Sequence, residues 1–190
     1  MNELCRQVVA QLQRRGFEAV FVETKEEAKA LVLKEAETAA SVGWGGSETI
    51  KEIGARDELA ASGREIRDHA TVCDLFLLSA NAVTGDGRIV NIDGNGNRVA
   101  ASIHGPKRVV YVIGANKLVA GGLDDAVARI KREACPPNAK RLGRRTPCAL
   151  TGVCTDCDSP ERMCKVMAVF DRKPTGVSAK VIVVGEKLGY

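Results

Sequence analysis

The chain has 190 residues, of which 45% are hydrophobic and 27% charged, and its formal net charge is +4. This composition is typical of a folded single domain, and the length suffices to bury a core without disulfides. The small net charge gives no ground for nucleic-acid binding, and no apolar run approaches the roughly 18 residues of a membrane helix. The N-terminal segment lacks the apolar core of a signal peptide, so a cytoplasmic protein is predicted.

The predicted elements of the first half alternate between helices and strands. An amphipathic helix in ELCRQVVAQLQRRG comes first, followed by the strand FEAVFVE and a helix that begins with a capping box of Thr24 and Glu27. A short strand then runs into VGWGGSET, where Ser47 opens another helix. The stretch GREIRDHA, residues 63–70, predicts a further strand.

The second half continues this alternation. The apolar run CDLFLLSANAVT predicts a buried parallel strand, RIVNID another strand, and NRVAASIHG a helix. KRVVYVIG follows as a strand, LDDAVARIKREAC as a helix that Pro136 and Pro137 end, and AKVIVVG as the last strand. Strands rich in Val, Ile and Leu between helices predict an α/β fold with an open, mostly parallel, three-layer sheet. We expect a single domain over residues 1–190, with a cysteine-rich insertion at 140–170.

Polar residues follow several of the predicted strands, where open α/β sheets bind their ligands. The glycines of VGWGGSET fit an anion cradle and a simple tight turn equally well. Asn81, Asn97 and Arg98 lie among glycines that a hairpin turn would explain, although the hairpin does not explain the polar residues. Lys117 follows the strand KRVVYVIG and either faces a ligand or lies in solvent. Glu186 follows the last strand and is either a catalytic carboxylate or an ion-pair partner.

Four of the seven cysteines, Cys148, Cys154, Cys157 and Cys164, form the pattern C-x5-C-x2-C-x6-C. Four thiolates are what a tetrahedral zinc site or an iron–sulfur cluster needs, and in a reducing compartment such cysteines are more often metal ligands than disulfides. A thiol–disulfide pair of Cys154 and Cys157 is the alternative. The preceding basic run, AKRLGRRTPC, is either a solvated loop or a positive wall that favours thiolates or an anion.

The chain resembles the lactate-utilisation (LUD) domain family, in the short cysteine-bearing branch related to lactate-utilisation protein C. The resemblance lies in five stretches, which are VGWGGSETIKEIG, ANAVTGDGRIVNIDGNGNRVA, GPKRVVYVIGANKLV, TPCALTGVCTDC and VVGEKLGY. It implies a fold similar to the superfamily of ribose-5-phosphate isomerase, glucosamine-6-phosphate deaminase and CoA transferases.

The resemblance also implies roles for particular residues. A loop after an early strand binds phosphate or a related anion in that superfamily. Its contacts in this sequence would be Gly45, Gly46, Ser47 and Thr49. The segment AVTGDGRIVNIDGN resembles the one that supplies a catalytic carboxylate in sugar-phosphate isomerases, so Asp86 and Asp93 are candidates. Lys117 would meet the ligand from the next strand.

The expected function is a supporting role in lactate-type organic-acid oxidation, with an anionic small molecule at the strand ends and a four-cysteine metal site. The electron-transfer setting of the family favours a [4Fe–4S] cluster over zinc and implies iron–sulfur or flavin oxidoreductase subunits as partners. No nucleic-acid or membrane partner is expected, and a homo-oligomer stays open.

Two other roles stay open, so the sequence leaves undecided whether the chain is an enzyme. One is an enzyme of the sugar-phosphate isomerase or CoA transferase type. In that enzyme Asp86 or Asp93 would act as general base and Glu186 as nucleophile or acid. The other is a non-catalytic redox or assembly subunit.

Overall fold

The computed structural model describes residues 2–68 and 71–190. In chain order the strands are β1 (Glu18–Val22), β2 (Ser41–Trp44), β3 (Glu65–Asp68), β4 (Leu75–Leu78), β5 (Ala82–Val83), β6 (Ile89–Asp93), β7 (Arg108–Gly114), β8 (Val166–Phe170) and β9 (Ser178–Val184). Over the described residues, one sheet has six strands in the order β1-β9-β7-β4-β2-β3, and all of its pairs are parallel. A smaller antiparallel sheet has the order β5-β6-β8.

Helices connect the parallel strands. They are α1 (Asn2–Arg14), α2 (Lys25–Ala36), α3 (Glu48–Glu52), α4 (Ala55–Ala61), α5 (Asn97–Ile103), α6 (Leu123–Arg129), α7 (Cys135–Arg141) and α8 (Pro147–Thr151). A 3₁₀ turn covers Ala115–Lys117, and a π-helical segment, Ile130–Ala134, joins α6 to α7. The predicted capping box at the start of α2 is confirmed, because Thr24 Oγ1 accepts the Glu27 N–H while the Glu27 carboxylate accepts the Thr24 N–H.

The large sheet is buried on both faces. Alternate side chains of β4 point to opposite sides, so that Phe76 and Leu78 pack with α1 and the small sheet, whereas Leu75 and Leu77 pack with α2, α3 and α4. Burial on both faces explains why the central strands read as unbroken runs of Val, Ile and Leu. The predicted three-layer α/β fold with an open, mostly parallel sheet is confirmed.

The apolar run CDLFLLSANAVT was expected to be one strand and instead supplies two. β4 ends at Leu78, the backbone leaves the parallel sheet over residues 79–81, and Ala82 and Val83 pair antiparallel with β6. Continuous hydrophobicity arises because both short strands are buried, although they lie in different sheets. The break leaves the polar residues Ser79 and Asn81 at the carboxyl end of β4.

The expectation that Pro136 and Pro137 end a helix is wrong. The helical path continues from Leu123 to Arg141, because the prolines fall in the first turn of α7, where missing N–H groups cost little. The π-helical segment before them changes the direction in which the following side chains point. The chain therefore enters the cysteine-rich region as a helix and not as a loop.

The segment 140–170 contains regular structure, since it includes the end of α7, the short helix α8 and strand β8. β8 pairs antiparallel with β6, so the segment completes the small sheet. Of the strand predicted at 63–70, the structure has Glu65–Asp68, and residues 69–70 lie outside the described part. Among the described residues, no helix is both long and apolar enough to cross a membrane.

Candidate functional site

A cavity of about 600 Å³ opens at the carboxyl edge of the parallel sheet. The segments that follow β2, β4 and β7 all reach its wall, as expected for an open α/β sheet. The structure brings together the eight residues predicted as ligand contacts, and all of them line this cavity: Gly45, Gly46, Ser47, Thr49, Asn81, Asn97, Arg98 and Lys117. Tyr190, at the end of the segment after β9, also contributes to the wall.

Lys117 is buried in the cavity wall, with only 4% of its surface exposed. The 3₁₀ turn after β7 directs its Nζ toward two hydroxyl groups, and it donates to Thr49 Oγ1 at 2.7 Å and Ser79 Oγ at 2.9 Å. Burial lowers the pKa of Lys117 to about 7, and the positive charges of Arg129 and Arg98 contribute to this shift. A substantial fraction of the amine is therefore uncharged near neutral pH.

Arg98 and Asn81 form a second, half-buried polar group. The Arg98 guanidinium donates to Asn81 Oδ1 and to the Ile92 carbonyl, each at 2.9 Å, and lies 3.7 Å from the Asp93 carboxylate. Asp93 itself accepts the N–H groups of Gly94 and Val99. Arg98 is thus held in place as a positive group in the wall, whereas the oxygens of Asp93 already have partners.

The structure does not bring Asp86 and Glu186 to this cavity. Asp86 lies in the turn between β5 and β6, where it accepts a hydrogen bond of 2.5 Å from Thr84 and pairs with Arg15 at 2.7 Å. These contacts, led by the Thr84 hydroxyl, lower the pKa of Asp86. Of the three predicted catalytic carboxylates, only Asp93 lines the cavity, because the β5–β6 hairpin turns Asp86 toward α1.

The cavity wall is rich in positive charge. Its described residues include six basic side chains, namely Arg98, Lys117, Arg141, Arg144, Arg162 and Lys165, and three acidic ones, Glu48, Asp93 and Glu161. Glu48 pairs with Arg141, and Glu161 pairs with Arg145 outside the cavity. Within the described part of the chain, Arg144 and Lys165 have no carboxylate at salt-bridge distance. The excess of basic groups favours an anionic ligand.

The four predicted metal ligands gather around a second, smaller pocket, here called the thiol pocket. Its described cysteines are Cys135, Cys148, Cys154, Cys157 and Cys164, and all of them are free thiols. Arg162 fastens the surrounding loop, since its guanidinium donates to the carbonyls of Cys157 and Cys164 and to the Asp156 carboxylate. The prediction named four of these cysteines and missed the fifth.

Cys135 is the functional candidate that the sequence did not yield. It begins α7 directly after the π-helical segment, and its Sγ lies 3.3 Å from Cys164 Sγ. This contact lowers the pKa of Cys164 and raises that of Cys135, because one sulfur donates a hydrogen bond to the other. Its position thirteen residues before Cys148 could have indicated that Cys135 belongs with the other cysteines. The predicted helix end at Pro136 and Pro137 instead separated Cys135 from them.

The donor chemistry of the thiol pocket suits a thiolate-bound metal group, but its arrangement does not suit a single ion. Among the described residues, no three His, Cys, Asp or Glu side chains are grouped closely enough to hold one metal ion. A tetrahedral zinc at about 2.3 Å from each thiolate needs such close grouping. An iron–sulfur cluster distributes its ligands over several iron atoms, so its thiolates stand farther apart.

The cavity and the thiol pocket adjoin each other. Cys135, Arg162, Met163 and Cys164 line both of them. Nothing in the sequence pattern connected the glycine-rich stretch to the cysteines, because about one hundred residues lie between them. In the folded chain an anionic ligand and a thiolate-bound group would be neighbours.

The fold and the site define an α/β protein with a cavity at the carboxyl edge of a parallel sheet and an adjoining thiol pocket. The chain matches the family model of the LUD domain over residues 5–184, and it belongs to that family, as its sequence motifs predicted.

One similar solved structure is the crystal structure of a DUF162 family protein from Deinococcus radiodurans. It has 17% sequence identity to this chain and a TM-score of 0.58, and the match covers 97% of this chain and 98% of that chain. At this identity the likeness supports the fold and no particular activity. A comparison with curated protein sequences found no significant match.

Proposed function

We propose that this LUD-domain protein binds a small organic anion in the cavity and holds a [4Fe–4S] cluster in the thiol pocket. The role that best combines these two features is in the oxidation of lactate or a related organic acid. The observation that carries the proposal is the convergence of basic side chains on a cavity at the strand ends.

Two features support an organic anion as the ligand. Arg98 supplies a half-buried positive group and Lys117 a buried amine, and Arg144 and Lys165 add charges that no carboxylate of the described chain neutralises at short range. The glycine loop supports it as well. A Cβ added at Gly46 would meet nothing within 4 Å, so the packing of the chain does not require glycine there. A glycine at this position also leaves room for a ligand to approach the backbone, and this explanation for Gly46 remains.

The anion site is tested by measuring thermal shifts and calorimetric affinities for lactate, pyruvate, sugar phosphates and CoA esters. The double variant Arg144→Gln, Lys165→Gln should bind the best ligand about tenfold more weakly, a loss of about 1.4 kcal/mol. The matched control is Lys25→Gln, Lys34→Gln, which removes two exposed charges on α2 that do not line the cavity. Failure of every anion to bind, or equal affinity of both double variants, would reject the site.

The cluster proposal rests on the number and placement of the thiols. Cys148, Cys154 and Cys157 line the thiol pocket, and either Cys164 or Cys135 would complete a set of four. When bound, a [4Fe–4S] cluster supplies one-electron transfer. The Arg162 guanidinium and the basic side chains nearby would stabilise the negative charge of such a group.

The cluster is tested by purifying the protein without oxygen and measuring iron, acid-labile sulfide and absorbance near ~400 nm. We expect iron and sulfide in the wild type, their loss in Cys154→Ser, Cys157→Ser, and their retention in Cys5→Ala, which changes a cysteine buried in the core. A colourless protein with one zinc ion per chain would show that the thiol pocket is a zinc site instead.

Electron-transfer partners follow from the same proposal. A cluster beside an oxidisable anion needs an acceptor, so an iron–sulfur or flavin oxidoreductase subunit is the partner of choice. The alternative of an isomerase or CoA transferase has less support, because Asp86 and Glu186 do not line the cavity and Asp93 already accepts two backbone N–H groups. Binding of sugar phosphates or CoA esters alone would favour that alternative.

A further inference from the structure

The amine of Lys117 is placed unusually for a lysine. Most lysines keep their ammonium group in water, whereas this side chain is buried and still lines the cavity. Its Nζ contacts two hydroxyl groups, of Thr49 and Ser79. In the described chain no carboxylate lies at salt-bridge distance from it. Gly189 also lies close to this amine, because a Cβ added at Gly189 would be 3.4 Å from Nζ.

The surroundings of this amine favour its uncharged form. Burial is the main cause, and the nearby guanidinium groups of Arg98 and Arg129 act in the same direction. Glu52 opposes the shift but does not cancel it. An uncharged amine carries a free electron pair, and lysines activated by desolvation and neighbouring cations are nucleophiles toward carbonyl carbon.

We propose that Lys117 forms an imine with the carbonyl carbon of a small 2-oxo acid bound in the cavity. The inference rests on the proposed function, because it requires that the cavity hold an organic anion. The basic residues around the cavity would hold the carboxylate, and Lys117, together with the Thr49 and Ser79 that its amine contacts, lines the same cavity. A 2-oxo acid joins these two requirements, since its carbonyl carbon is bonded directly to its carboxylate.

The reaction is a reversible condensation that needs no oxidant. The electron pair of Nζ forms a bond to the carbonyl carbon, and the pair of the C=O π bond moves to the oxygen. Both amine hydrogens are then transferred to that oxygen, which leaves as water, so a C=N bond replaces the C=O bond. The hydroxyl groups of Thr49 and Ser79, which already contact Nζ, are positioned to pass these protons.

The imine is tested by incubating the full-length protein with pyruvate and sodium cyanoborohydride, which reduces a C=N bond to a stable amine. The expected product is heavier by one pyruvic acid less one oxygen atom, and peptide mapping should place it on Lys117. Labelling of Lys117 should exceed that of exposed Lys165, which also lines the cavity, by at least roughly tenfold at pH 7. The rate should rise through about pH 7, the pKa of the buried amine.

The wild-type protein contains its own control, because labelling is compared among its lysines. In addition, Lys117→Arg should lose the adduct, whereas Lys25→Arg, an exposed position on α2 outside the cavity, should keep it. Pyruvate binding without preferential labelling of Lys117 would overturn the imine and leave the anion site standing. Absence of binding to pyruvate and to every other anion would overturn both proposals.

Discussion

Lys117 shows how position changes the chemistry of an ordinary side chain. The sequence offers one lysine among several, and a solvent-exposed lysine would bind an anion through its charge alone. Burial beside two arginines gives this one an amine that is partly uncharged near neutral pH. The same burial costs stability whenever the group is protonated, because an ammonium group in the wall replaces its hydration with only two hydroxyl contacts.

This cost gives a pH-dependent prediction for Lys117→Met. The unfolded chain holds the lysine proton up to its ordinary pKa of 10.5, whereas the folded chain releases it near 7. Between these values the unfolded state binds more protons, so the wild type gains stability as pH rises. We expect the variant to lack this gain. The difference in unfolding free energy between the two should change by about 2–4 kcal/mol from pH 6 to pH 10, in favour of the wild type.

The measurement is urea unfolding of both proteins across this pH range, with Lys165→Met as the matched control. Lys165 is exposed, so its variant shows the effect of removing a lysine from the surface. A difference between Lys117→Met and the wild type that does not change with pH would mean that the buried amine keeps its ordinary pKa.

Among the elements, the continuous path of α6, the π-helical segment and α7 does most to build the site. It carries Cys135 into contact with Cys164 and places Arg141 on the cavity wall. A helix ended by the two prolines would leave Arg141 on a loop. The π-helical segment lets the chain pass into α7 with Pro136 and Pro137 in its first turn, which links the α/β domain to the cysteine-rich region.

The loop of the thiol pocket depends on Arg162, whose three hydrogen bonds join Asp156, Cys157 and Cys164. Arg162→Gln removes these bonds, so the loop should open more often. In metal-free protein, this opening should speed alkylation of Cys157 and Cys164 by iodoacetamide roughly fivefold. Peptide mass spectrometry would measure the two rates. Arg132→Gln, on the exposed face of the π-helical segment, should leave them unchanged.

At the scale of the whole molecule, the two edges of the parallel sheet carry different features. Its carboxyl edge holds the cavity, whereas its amino edge holds an ion network that joins three strands and a helix. There Lys180 of β9 lies 2.8 Å from Glu18 of β1 and 2.7 Å from Glu35 of α2, and Arg108 of β7 contacts both carboxylates. The network joins elements far apart in sequence, and none of its four residues lines the cavity.

Lys180→Met should therefore lower stability without affecting ligand binding. Lys180 is 9% exposed, and Glu18 is half exposed, so we expect a loss of about 1–3 kcal/mol at pH 7. The hydrogen bond from Lys180 lowers the pKa of Glu18 despite opposing burial, so its contribution is present above the ordinary value of 4.5. As pH falls below that value, the two proteins should converge in stability. A changed affinity for the best anion in calorimetry would contradict this separation.

The sequence by itself determined the layered α/β fold, the family and eight predicted ligand contacts that line the cavity. These features are local: apolar runs set the strands, and glycines and polar residues that follow a strand must lie at its carboxyl end. It failed for Asp86 and Glu186, because a position after a strand does not fix where a hairpin or a terminal segment turns its side chains.

Only the tertiary structure decided that the cysteines adjoin the ligand cavity, that Cys135 is a fifth thiol and that Lys117 is buried rather than solvated. Each of these depends on contacts between segments far apart in the chain, such as Lys117 with Thr49 or Cys135 with Cys164. Such contacts arise from the packing of whole elements, and the local pattern of residues does not specify them.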